Sequence, residues 1–167
     1  FRWAQFVGEP DLKLAGDDPG ADLGAPVISP DGTHVAYRRT SLSTPTTAPR
    51  VTLELLDLAD GSPRTLVPEW DRWPTCHQWL PDGSGLLVTA DQDGRAPVFH
   101  VDLESDTVAQ LTHDDYTYSD LQVAPDARVV YAMRSSYLAP AHPVRIQLAP
   151  EPNRERGTVT VLRAPAG

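Results

Sequence analysis

Ile28-Ser29-Pro30-Asp31-Gly32, Leu80-Pro81-Asp82-Gly83 and Ala124-Pro125-Asp126-Ala127 are three copies of one phrase. Each follows a short apolar segment and precedes a β-type run: His34 to Tyr37, Leu86 to Thr89 and Val129 to Ala132. Proline presets φ at the first corner of a tight turn, aspartate bonds nearby backbone, and glycine accepts positive φ at the end. The phrase therefore reads as a hairpin turn between two strands. The third copy carries Ala127 in place of glycine, and a left-handed conformation there costs alanine on the order of 1 kcal/mol.

Further strands flank each turn. The first unit reads Ala25 to Ile28, the turn, Val35 to Arg39, a Ser/Thr/Pro-rich loop over Ser41 to Pro49, Val51 to Leu58, and Arg64 to Val67. The second reads His77 to Trp79, Leu86 to Thr89, a hairpin at Asp91-Gln92-Asp93-Gly94, Pro97 to Leu103, and Thr107 to Leu111. The third reads Asp120 to Val123, Val129 to Met133, with Arg134 to Tyr137 closing that strand and entering a Pro-rich loop, then Val144 to Leu148, and Thr158 to Leu162. Pro30 to Pro81 is 51 residues and Pro81 to Pro125 is 44, and the third strands, aligned on Leu53, Val98 and Val144, are spaced 45 and 46. Four strands per unit at a period of ~40–50 residues is the signature of a β-propeller. The expected fold is all-β: a partial β-propeller of about three four-stranded antiparallel blades. Residues 1–24 read as the end of a preceding blade or an irregular lead-in, and 25–68, 69–112 and 113–167 as blades. Propellers close with ~4–8 blades, so the expectation is a piece of a longer protein, with the rest of the propeller as its first partner.

Composition narrows the class. Seventeen prolines and eleven glycines in 167 residues leave little room for long helices. A net charge of -9 argues against a nucleic-acid or anionic-membrane partner, because phosphates need a basic patch. No apolar run approaches the ~20 residues of a membrane-spanning helix. No basic stretch followed by an apolar run is visible, and the expected location is the cytoplasm. Cys76 is the only cysteine, which excludes an internal disulfide and a cysteine-based metal cluster.

The Pro-Asp-Gly turn ahead of a β run resembles the WD40-like propeller repeats of TolB-type proteins and of the prolyl-oligopeptidase (S9) family of serine peptidases. The third repeat is more specific. Tyr118 to Asp126, Val130 to Tyr137 and Pro143 to Ile146 are similar to propellers of bacterial acylaminoacyl-peptidase or dipeptidyl-peptidase-like members, as is Val101 to Thr112. The resemblance implies an α/β-hydrolase domain elsewhere, carrying a Ser-Asp-His triad with its serine in a G-x-S-x-G elbow. This sequence has no G-x-S-x-G, and Gly83-Ser84-Gly85 is a hairpin turn. No catalytic residue carries over. The implied role is to restrict and guide peptide substrates to that domain, with no cofactor. The other reading is a TolB-like interaction module without catalysis.

Arg134 and Tyr137 are the candidate substrate-binding residues, since arginine clamps a carboxylate with a bidentate fork. The plainer reading is an inter-blade ion pair and a packed tyrosine. His113-Asp114-Asp115 has metal-ligand chemistry but reads as a polar inter-blade loop. Asp91 to Gly94 echoes a calcium loop, yet His100 stands where the glutamate belongs, and no metal site is assigned. Trp70, Trp73 and Trp79 read as core aromatics around the second blade, and Cys76 and His77 as packed strand residues.

Overall fold

The computed structural model describes residues 19–148 and 157–162. Among them are twelve strands in three four-stranded antiparallel sheets. The first is β1 (Ala21–Ile28), β2 (His34–Ser41), β3 (Val51–Asp57) and β4 (Pro63–Leu66). The second is β5 (Pro74–Trp79), β6 (Gly85–Ala90), β7 (Val98–Asp102) and β8 (Thr107–Gln110). The third is β9 (Thr117–Val123), β10 (Val129–Ser136), β11 (Ala139–Leu148) and β12 (Gly157–Val161). Spatial order follows chain order in each sheet, as in a propeller blade.

The three turns share one set of bonds. Gly32, Gly83 and Ala127 each donate N–H to the carbonyl three residues back, at 2.9 Å. Each aspartate accepts the N–H two residues ahead: Asp31 from Thr33, Asp82 from Ser84 and Asp126 from Arg128. Ser29 and Thr33 also donate to the Asp31 carboxylate and, Ser29 foremost, hold its pKa down at about 2. Gly32 and Gly83 have φ of 74° and Ala127 has φ of 54°, so alanine does occupy the left-handed position.

Gly85 has a different duty. A Cβ there would lie 2.7 Å from His100 Nε2 and closer still to the Val101 carbonyl, so glycine lets β6 approach β7.

Two apolar seams join the sheets. Ala36, Leu53, Leu55 and Leu66 of the first sheet meet Trp79, Leu86, Val88 and Val101 of the second. Leu87, Val98 and Leu111 of the second meet Tyr118, Leu121, Val130, Ala132, Val144 and Ile146 of the third. β6 therefore sends alternate residues into opposite seams and is buried throughout, as a sheet covered on both faces requires. Polar groups fasten the same seams. Trp79 Nε1 donates to the Val27 carbonyl at 2.9 Å, and the His77 ring N–H donates to the Ala36 carbonyl at 3.3 Å. At the rim, Val67 N–H donates to Asp106 Oδ1 at 3.0 Å and Gly157 N–H to the Leu111 carbonyl at 2.8 Å. The outermost strands are thus linked end to start.

Several sequence expectations need correction. β1 begins at Ala21 and passes a register shift between Gly24 and Val27, where Ala25 takes φ of 52°. A bulge of this kind leaves no pattern in apolar alternation. The segment after Tyr137 is a strand and not a proline-rich loop: β11 runs through Pro140 and Pro143, paired with β10 on one side. Among the described residues β12 pairs with its other side from Val144, and Leu162 N–H still reaches the Pro143 carbonyl; a proline is tolerated where the ladder asks no N–H of it. Register also revises the strand alignment. Arg38 pairs Leu53, Thr89 pairs Val98 and Met133 pairs Pro143, so the equivalent of Leu53 and Val98 is Pro143, and both spacings are 45 residues. Val144 faces the opposite way, into the seam with the second sheet. Trp73 is 47% exposed and does not join the core that holds Trp79. The lead-in over residues 1–18 lies outside the described residues.

Candidate functional site

Arg134 lies near the end of β10, directly opposite Tyr118 of β9 and His142 of β11. Cross-strand neighbours share a face, and the three side chains form a row. The connection from β8 to β9 adds two more residues. Asp114 takes Arg134 Nη1 at 2.9 Å and the Tyr118 hydroxyl at 2.9 and 2.8 Å on its two oxygens. Tyr116 lies under the guanidinium, its ring centroid 3.9 Å from Cζ, a cation–π contact. His142 Nε2 accepts from Arg134 Nε and faces Nη2, both at 3.3 Å, while its Nδ1 meets the Pro140 carbonyl at 2.9 Å. A neutral ring with its proton on Nδ1 satisfies both contacts.

The Arg134 side chain is 11% exposed, and its Asp114 partner is 31% exposed. Burial opposes the arginine charge, but Tyr118 and Asp114 outweigh it and raise its pKa. Tyr118 is pushed up in turn, by burial first and then by the Asp114 carboxylate that its hydroxyl serves. The cluster is a closed ionic network.

Tyr137 stands apart from it. Tyr137 and Leu138 form the tip of the β10–β11 hairpin and are 106% and 98% exposed. The tyrosine is therefore not packed, which corrects that half of the plainer reading. The ion pair of the other half is present, between Arg134 and the connection joining two sheets. The sequence places Arg134 and Tyr137 three positions apart; the structure makes one the brace of the hairpin and the other its tip. Sequence reasoning missed Tyr116 and His142, whose roles emerge only when strand register sets them around Arg134.

The remaining candidates have ordinary partners. Asp115 pairs with Arg95 at 2.9 Å. In the Asp91 hairpin, Gln92 and Arg95 exchange backbone bonds, with Asp93 and Gly94 at φ of 51° and 75°, the two-residue turn that favours Asp-Gly. Trp70 packs edge-on against Phe99 with centroids 5.0 Å apart. Cys76 is half-buried, and burial raises its thiol pKa. Among the described residues, no group of three or more His, Cys, Asp or Glu is arranged to hold a metal ion.

Three four-stranded sheets stacked through two apolar seams define a partial β-propeller. Its sequence relatives are peptidases. The chain is 29% identical over 131 residues to dipeptidyl-peptidase 5 of Aspergillus fumigatus, covering 73% of this chain and 17% of the relative. It is 28% identical over 103 residues to the probable dipeptidyl-peptidase 5 of Aspergillus niger, covering 62% and 14%. The chain thus matches about a sixth of the length of these relatives. Among solved structures, TolB from Acinetobacter baumannii matches with a TM-score of 0.61 at 19% identity, over 86% of this chain and 32% of that one. Prolyl oligopeptidase B from Galerina marginata matches with 0.61 at 12%, over 91% and 24%. Acylaminoacyl peptidase from Pyrococcus horikoshii matches with 0.52 at 19%, over 68% and 17%. No protein-family model matches the chain. The chain is a partial propeller related to those of the S9 peptidases.

Proposed function

We propose that this chain is the propeller segment of a serine peptidase, restricting and guiding peptide substrates to an α/β-hydrolase domain elsewhere in the same polypeptide. The observation that carries the reading is the match to dipeptidyl-peptidase 5, which extends over 73% of the chain. The structural likeness to TolB concerns the fold alone. The chemistry falls to the other domain: a serine attacks the peptide carbonyl, a histidine moves the proton, an aspartate orients it, and backbone amides hold the oxyanion. This segment contributes shape and contacts. In this reading Tyr137, exposed at the tip of the β10–β11 hairpin next to the Arg134 network, is the side chain that would meet a substrate. Arg134 supports that contact, since its fork is already engaged by Asp114 and His142.

A fluorophosphonate probe applied to the folded, longer polypeptide that carries this segment tests the reading. Covalent labelling of one serine outside residues 1–167 is the expected result. An unlabelled but folded protein overturns it in favour of a TolB-like interaction module. In the same polypeptide before labelling, Tyr137→Ala raises KM for long peptides and leaves turnover of a short chromogenic ester unchanged.

A further inference from the structure

Of the side chains gathered around Arg134, only the imidazole of His142 is of a type that changes charge between pH 5 and 8. The geometry leaves a second proton on that ring no partner. Nδ1–H donates to the Pro140 carbonyl at 2.9 Å, so Nε2 is the accepting nitrogen, and Arg134 Nε and Nη2 both lie 3.3 Å from it. A further proton must land on Nε2, aimed at a guanidinium. Arg134 faces the ring from β10, and Tyr116 faces it edge-on from the β8–β9 connection, with centroids 6.1 Å apart. Asp114 is bound to Nη1, the guanidinium nitrogen that His142 does not touch, and also takes the Tyr118 hydroxyl. Among the described residues, no carboxylate lies within ion-pair distance of His142. The ring also sits at a mechanical boundary. Arg134 opposite His142 is the last regular pair before the register slips, and beyond it only Ser136 and Ala139 pair. Among the described residues β12 pairs β11 from Val144 on. Ahead of that point the arm is held by β10 and by the ring.

We propose that His142 is a proton-operated latch on the β10–β11 hairpin. Neutral, the ring accepts from Arg134 and ties the arm down. When a solvent proton binds Nε2, the acceptor is lost and two like charges face each other, so the ring swings off the guanidinium and the tip at Tyr137 and Leu138 is released. Arg134 stays in place, because Asp114 and the face of Tyr116 still hold its charge. The latch rests on the peptidase reading only for its consequence, the loosening in acid of the side chain that would meet a substrate.

The test is NMR of the 167-residue chain between about pH 8 and about pH 5.5, a range above that of ordinary carboxylates. Backbone order parameters are read at Tyr137 and Leu138, and the His142 Cε1–H signal reports the ring. The expected result is a fall at both tip amides from about 0.8 to below about 0.6, with the same midpoint as the His142 signal. His142→Gln, whose amide oxygen still accepts from Arg134 and takes up no proton, keeps the tip ordered throughout. A tip that keeps its order while the ring titrates, a ring that does not titrate in this range, or a tip that loosens equally in His142→Gln overturns the latch. The coincidence of midpoints is read in the parent chain, so it decides the matter even if the variant fails to fold. These signals report the hairpin itself. Their failure leaves the peptidase reading standing, and an unlabelled serine in the longer polypeptide leaves the latch standing.

Discussion

Ala127 shows how far one residue obeys a repeat. It makes the same backbone bond as Gly32 and Gly83 and takes the same left-handed conformation, with φ of 54° against their 74°. The cost of that conformation is borne by a Cβ that glycine lacks. Ala127→Gly is expected to stabilise the chain by about 0.5–1 kcal/mol, and Gly83→Ala to destabilise it by a similar amount. Urea midpoints of the two variants against the parent check both signs. At this scale the sequence was legible: Pro-Asp-Gly announces its φ values through the chemistry of its residues. Ala25, Val67 and Asp120 were not legible, although each also has positive φ. Nothing in an alanine or a valine announces a bulge or a clasp; partners far along the chain, such as Asp106 for Val67, impose it.

At the scale of elements, the seams and the β10–β11 hairpin carry the polar work. His77 of β5 is buried against the first sheet, and burial lowers its pKa below the ordinary 6.5. Between that lowered value and 6.5 the unfolded chain binds a proton that the folded chain refuses, so stability rises with pH across the window. The contribution is complete above the unfolded value and is lost as pH falls through the folded one. Unfolding midpoints measured from pH 7.5 to pH 5 should fall more steeply for the parent than for His77→Gln; parallel curves would clear His77 of the effect. In the hairpin, Asp114→Ala leaves the Arg134 charge buried without its counter-ion and costs about 2 kcal/mol, while Asp114→Asn, which still accepts from Tyr118, costs about 1. Thermal unfolding of both variants ranks them. Neither feature could be read from a pattern. His77 looked like any packed strand residue, and Pro140 and Pro143 read as loop because proline usually breaks a strand. What permits them is register: among the described residues β12 pairs β11 from Val144 on and asks no N–H of Pro140 or Pro143.

The whole molecule is a stack in which one repeat position meets three environments. Strand register makes Ala36, Leu87 and Tyr131 equivalent: each stands six residues past the turn proline and opposite Leu55, His100 and Arg145 respectively. Ala36 and Leu87 are 0% exposed because the next sheet covers them, whereas Tyr131 is 46% exposed on the outer face of the third sheet. The sequence already varied with this arrangement, from alanine and leucine to tyrosine, with leucine, histidine and arginine opposite. Composition alone does not disclose it, because the period places residues in a blade and says nothing of whether a following blade is present. The same substitution should therefore have opposite consequences along the repeat. Leu87→Lys places an unpaired charge in the seam between the second and third sheets and should cost several kcal/mol, enough to unfold a marginal chain. Tyr131→Lys on the open face should stay within about 0.5 kcal/mol of the parent in this 167-residue chain. In a longer polypeptide whose next blade covered that face, Tyr131→Lys should become as damaging as Leu87→Lys. Denaturant unfolding of both variants in both lengths reads the comparison, and a Tyr131→Lys that is harmless in the longer protein would show that no blade sits on the third sheet.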